Sequence, residues 1–209
     1  METAHDIDSQ TRLILGVLES IERNSRQTQR SIAVALGIAL GLANSHIRRC
    51  VSRGLVSVQQ ASAHRHTYFL TAAGFAEKAR LTAQHLDYSF TSFREARSAY
   101  SLLLAQSRNR RMVLAGISEL AEIAVLCALE SGMKFYGIVD DTTNAKRFMG
   151  LPVFMEYSLM PSNIHGAIIT NLRAPSAAFT DAARHFGEDR VLAPRFLSLS
   201  RTTFRDAAE

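Results

Sequence analysis

The stretch "RMVLAGISELAE", Arg111 to Glu122, decides how the second half of this chain folds. Four apolar residues, Met112 to Ala115, run into Gly116 and then into a helical pattern. This is the strand, tight turn and helix that open a nucleotide-binding βαβ unit. In the dinucleotide fingerprint a first glycine makes the turn and a second lets the backbone approach a pyrophosphate. A third small residue packs the helix on its strand. Gly116 and Ala121 fill the first and third places, but Ser118 stands in the second. Its Cβ takes up room, while its hydroxyl can donate to a phosphate and the helix N-terminus stays an anion site. Glu119 works against an anion by like-charge repulsion.

The residues that follow alternate strands and helices, which signals a parallel sheet. "KFYGIVDD", "GLPVF", "HGAIITN" and "RVLA" read as strands, and Ser118 to Ser131 and "PSAAFTDAARHFG" as helices. Asp140 and Asp141 end the second strand, where a carboxylate accepts from a ribose hydroxyl. Lys146 and Arg147 offer charge for a phosphate. Thr170 and Asn171 end a later strand, at the edge where open α/β sheets bind ligands. With Gly116, Ile117, Ser118 and Glu119 on the turn, these are the candidate ligand residues. They point to a nucleotide or nucleotide-sugar, with NAD(H) and a ligand-free scaffold as alternatives. Residues 195–209, rich in Arg, Ser and Thr, carry no assignable element.

Ahead of this domain the charge is unevenly spread. The 209 residues carry a net charge of only +5. From Arg23 to Ala76, however, there is no Asp or Glu, while Arg23, Arg26, Arg30, Arg48, Arg49, Arg53 and Arg65 all fall inside. Such a segment attracts polyanions, DNA above all. Leu13, Ile14, Val17, Leu18 and Ile21 recur at helical spacing. A second helix runs from Thr28, an N-cap, to Leu36 and ends at Gly37. A third spans about Leu40 to Arg53, with Ala43, Ile47, Cys50 and Val51 inward and Asn44, Ser45, Arg48 and Arg49 outward. "GLVSVQQ" and "HTYFLT" then read as a hairpin around "ASAHR". That order is a winged helix-turn-helix.

The third helix suits the major groove. Asn44 there reads adenine, Arg48 forks onto guanine and Ser45 reaches either. Thr28, Gln29, Arg30 and Arg49 hold phosphates, and His64 and Arg65 on the wing reach the backbone or the minor groove.

From Thr71 a helical pattern continues to about Gln106, roughly 50 Å of helix. Phe75, Ala79, Leu86, Phe90, Phe93, Ala96, Tyr100, Leu103 and Leu104 form its apolar stripe. Pairing with a second copy would cover that stripe, and a homodimer would set two recognition helices on two half-sites. A break near "TAQHLDYS", folding the helix back on its own chain, is the alternative. The expected organisation is an α+β winged helix-turn-helix over 10–71, a long dimerisation helix over 72–106 and a linker over 107–110. A Rossmann-like α/β parallel-sheet domain follows over 111–209.

"TQRSIAVALGIALGLANSHIRRCVSRGLVSV" followed by "YFLTAAGFAEKARLT" resembles the MarR-type winged-helix regulators, in particular the group associated with exopolysaccharide clusters. Two positions depart from that pattern: Ala39 where a serine would cap the third helix, and Leu42 where an outward base is expected. "VLAGISELAE", "GIVDD" and "KRFMGLPVF" are similar to the nucleotide-sugar-binding domain of sialic-acid O-acetyltransferase-type sugar acyltransferases. In that family the acyl chemistry belongs to a following left-handed β-helix. This sequence shows no hexapeptide repeat, so the resemblance implies ligand binding and not acyl transfer.

Other chemistry finds no support. The seven histidines show no i,i+4 pair and no cysteine neighbour for a metal. No G-x-S-x-G elbow or P-loop occurs, and no nucleophile–base pair stands out. An enzyme whose basic half merely localises it is the rival reading. No signal peptide or membrane span is expected, and Cys50 and Cys127 read as buried thiols of a cytoplasmic protein. The sequence reads as a non-enzymatic regulator, by default a repressor, binding double-stranded operator DNA as a homodimer under control of the α/β domain.

Overall fold

The computed structural model describes residues 4–62 and 65–199. Two compact units divide between Phe90 and Thr91. In order, helices α1 (Ala4–Arg23), α2 (Gln29–Leu36) and α3 (Leu40–Ser52) precede the hairpin β1 (Val56–Ser62) and β2 (Arg65–Leu70). Helix α4 (Ala72–Gln106) follows without a break, so no turn forms at "TAQHLDYS".

In the first unit Val17, Leu18 and Ile21 of α1 meet Ile32, Ile47, Cys50 and Tyr68, with Leu81 of α4 closing the cluster. Burying each large aliphatic among them stabilises the unit by about 1.5–3 kcal/mol. Thr28 caps α2 by accepting from the Ser31 amide, and Gly37 ends it in the left-handed region at φ 64°. Val51, expected inward, is exposed, because the turn of α3 carries it past the face defined by Ala43, Ile47 and Cys50. Thr71 does cap α4, accepting from Gly74 N. A Cβ on Gly74 would lie 2.0 Å from the Leu55 carbonyl oxygen, so only glycine lets α4 start this close to the strand.

The second unit is a six-stranded sheet in the order β5-β6-β4-β3-β7-β8. Its strands are β3 (Met112–Ala115), β4 (Ile138–Val139), β5 (Arg147–Phe148), β6 (Leu151–Phe154), β7 (Gly166–Ile169) and β8 (Val191–Leu192). All neighbours are parallel except β5 and β6, a hairpin that the sequence reading missed. Its turn uses Met149 and Gly150, both at positive φ. Side chains alternate across β3. Met112 and Leu114 face a cluster with Tyr100, Leu104, Leu120 and Ala124, while Val113 and Ala115 face Ala182 and Phe186. Helix α5 (Glu119–Glu130) therefore covers one face and α6 (Pro175–Phe186) the other, as a doubly wound sheet requires.

Two expectations change here. The second half of α4 belongs to the α/β core: Ala96, Tyr100 and Leu104 are buried in it, and the Tyr100 hydroxyl donates to the Ile169 carbonyl at 2.8 Å. Residues 107–110 are no loose linker either. Ser107 is fully buried, its hydroxyl donates to Leu103 O, and Arg110 N donates to Ser107 O.

Candidate functional site

The first candidate surface is the face of α3 and the hairpin. Ser45 and Arg48 are exposed there, as a groove-reading helix needs, and Arg30 is exposed on α2. Three of the nine expected DNA contacts, Gln29, Arg49 and Thr28, are otherwise engaged. Gln29 Nε2 donates to the Tyr68 hydroxyl at 2.9 Å, and Arg49 donates to Gln10 Oε1 of α1 at 3.1 Å. Asn44 is half-buried rather than outward, and its Oδ1 is buried with no hydrogen-bond partner among the described residues. One step on from Ala43, it lies at the edge of the buried face of α3. Thr28 spends its oxygen on the α2 cap. His64 lies outside the described residues, as does the side chain of Arg65, whose backbone pairs with Ser62.

Ala39 caps α3 without any side-chain bond, and Leu42 is exposed on it, so both departures seen in the sequence are real features of the surface. His46 is buried on the same helix. Burial, then the Arg49 charge, pushes its imidazole below the ordinary histidine range. The acids flanking the basic stretch are spent locally, since Glu22 pairs with Lys78 and Glu77 with Arg53 and Arg80. Hydrogen bonding from Arg80 leads in holding the Glu77 carboxyl below the usual range.

The second candidate is a cavity of about 320 Å³ at the C-terminal ends of β3, β4 and β6. Gly116, at φ 101°, takes the chain out of β3 and donates its amide to Val139 O at 2.8 Å. A side chain there would lie 2.5 Å from Asn171 Cβ. Ser118 accepts from Leu120 N at 3.1 Å and donates to the Thr170 carbonyl. The Thr170 hydroxyl in turn donates to Gly116 O. Asp140 Oδ2 accepts from Ile117 N at 2.7 Å, while Oδ1 takes the amide and hydroxyl of Thr142 at 2.8 and 2.6 Å. Burial pushes the Asp140 carboxyl up, but the bonds from Thr142 and Ile117 outweigh it and hold the group below the usual carboxylate range.

Of the ten residues expected at the ligand, Gly116, Asp140, Asp141 and Asn171 line this cavity. Ile117, Ser118 and Thr170 hold the turn behind it, and Glu119 lies at the exposed start of α5. Lys146 and Arg147 do not line it. Arg147 sits in β5 and donates to Gly150 O at 2.6 Å, because the hairpin that the sequence hid turns this segment into a strand. Glu156, Tyr157 and Asp181 were missed. They sit after β6 and on α6, and the rule that ligands meet the carboxyl ends of strands was the available signal. Among the described residues no group of His, Cys, Asp and Glu is placed to hold a metal.

Residues 10–57 match the family of winged helix-turn-helix DNA-binding domains. Among solved structures the chain is similar to MepR, a transcription regulator of the Staphylococcus aureus multidrug efflux pump MepA. Identity is 19% over 59% of this chain and 74% of that one, with a TM-score of 0.35. The S. aureus MepR–DNA complex gives 20% identity over 60% and 77%, with a TM-score of 0.35. An O-methyltransferase from neocarzinostatin biosynthesis, NcsB1, in complex with S-adenosyl-L-homocysteine gives 14% identity over 92% and 82%, with a TM-score of 0.34. No curated protein matches the chain.

Proposed function

We propose that this chain is a DNA-binding transcriptional regulator, acting by default as a repressor. Its winged helix-turn-helix engages operator DNA, and a nucleoside-containing ligand in the α/β cavity modulates that binding. The observation that carries the first half is the exposed face of α3, where Ser45 and Arg48 project from a segment free of acids and matched to winged DNA-binding domains. Arg48 is the specificity contact and Arg30 a phosphate contact. The cavity at the strand ends supports the second half, and the nucleoside moiety shared by nucleotides and nucleotide-sugars is the group to test there. Ligand alters operator affinity only as far as it binds the two conformational states unequally.

Selection of bound duplexes from a random-sequence library, followed by titration of the enriched sequence, tests the reading. The expected result is a recurring sequence bound at least ~1,000-fold more tightly than random DNA. Failure to enrich any sequence would sink it. A purely constitutive DNA-binding dimer is the second reading. The self-satisfied turn at Gly116–Ser118 favours it, and operator affinity unmoved by every ligand that binds the cavity would establish it.

A further inference from the structure

Resting on the reading of the α/β cavity as a ligand site, we infer that it selects an uncharged or positively charged nucleoside and rejects the phosphorylated forms. The cavity marks the site; the bonding and charge around it decide what enters.

Three of the amides a phosphate would use on this turn are already spent. The Ile117 amide goes to Asp140, the Leu120 amide to Ser118 Oγ, and the Ala121 amide to Ser118 O. The Ser118 hydroxyl itself donates to Thr170 O, so it has no proton left for an oxyanion. At the neighbouring helix start, Asn171 Oδ1 takes the amides of Arg173 and Ala174 at 2.9 and 2.8 Å. At the two helix starts that meet the cavity, Ser118 and Asn171 thus occupy backbone amides from within the chain and reduce the anion site that a bare N-terminus would offer.

The charge points the same way. Asp140, Asp141, Glu156 and Asp181 line the cavity, and among the described residues no Lys, Arg or His lines it. Arg173 acts on the charge of Asp140 and Arg184 pairs with Asp181 at 2.9 Å, yet four carboxylates against these two cations still meet a phosphate with net like charge. Sugar hydroxyls and amines find acceptors in the same carboxylates, each of which has lone pairs to spare. Val139, Met155 and Tyr157 supply the apolar wall on which a base can lie. About 320 Å³ is at the small end of ligand cavities, a size for one nucleoside rather than a dinucleotide.

The test is calorimetric titration of the full chain with the four ribonucleosides, their 5′-mono- and diphosphates, and 5′-amino-5′-deoxyadenosine. At least one nucleoside is expected to bind about tenfold or more tightly than its monophosphate, the worth of one well-placed charge. The amino derivative is expected to bind adenosine's site more tightly than adenosine. In the double variant Asp141→Asn, Glu156→Gln the preference over the monophosphate should shrink to about threefold or less. A phosphorylated form binding as tightly as its nucleoside overturns the inference and leaves the cavity as a ligand site. Binding by none of the compounds overturns both the inference and the ligand-site reading beneath it.

Discussion

The amide of Ile117 donates to Asp140 Oδ2 across 2.7 Å, and this bond ties the turn after β3 to the end of β4. A carboxylate that the sequence offered to a ribose is thereby a clamp on its own backbone. Asp140→Asn exchanges acceptor oxygen for an amide facing the donors of Ile117 and Thr142. It should destabilise the α/β unit by about 1–3 kcal/mol in calorimetric unfolding at pH 7. An unchanged transition would show that the clamp does not matter.

The same carboxyl sets a pH dependence. Its folded pKa lies below the unfolded value of about 3.9, so its contribution is complete above that value and is lost as pH falls through the folded pKa. The stability gap between wild type and Asp140→Asn should therefore be constant from pH 5 to 7 and close in stronger acid, below about pH 4. A gap that widens on acidification would reverse the assignment.

Arg48 is exposed on α3, so its removal should spare the fold and cost DNA affinity. Arg48→Ala should weaken operator binding by about 1–3 kcal/mol and relax the preference at one base pair. Arg53→Ala, which removes an ion pair with Glu77 instead, should leave base preference intact. Fluorescence anisotropy on single-base operator variants separates the two. Normal binding by Arg48→Ala would move the recognition contacts elsewhere.

Phe90 and Phe93 stay exposed on α4, at 58% and 41%, with Leu86 also exposed on that helix. We expect a second copy to cover them, each phenylalanine contributing about 1.5–3 kcal/mol on full burial. Sedimentation equilibrium should find a dimer for the wild type and a monomer for Phe90→Glu, Phe93→Glu with unchanged helix content. A wild type that is monomeric at micromolar concentration would end the dimer reading.

Both cysteines are free and buried, and burial pushes the Cys50 thiol up to about 11 and the Cys127 thiol upward as well. A thiolate-directed reagent at pH 8 should find neither in the native protein and two after denaturation. Rapid labelling of the native chain would mean that one of the two cores opens readily.

Local pattern was enough for the winged unit, because Val17, Leu18, Ile21, Ile32 and Ile47 each lie on an apolar face whose partner is near in sequence. It was enough, too, for the strand and turn at Met112–Gly116. It failed where the partner is distant. The stripe on α4 shows that Tyr100 and Leu104 must be covered, but not that β3 and α5 of the same chain cover them. The hairpin at Arg147–Phe154 was hidden because its first strand is only two residues long. Asn44 looked outward because a polar residue beside Ala43 was read by chemistry, whereas it lies at the edge of the buried face, where neighbouring elements decide its exposure.

The burial of Ala96, Tyr100 and Leu104 bears on where the chain can be cut. The visible seam lies at the basic run before Arg111. A fragment beginning there would lose Ala96, Tyr100 and Leu104 from the cluster they share with Met112, Leu114, Leu120 and Ala124, and with that apolar core partly uncovered it should aggregate. A truncation beginning near Thr91 keeps that cover, so the second domain's coding boundary falls inside a helix that gives no sign of ending there.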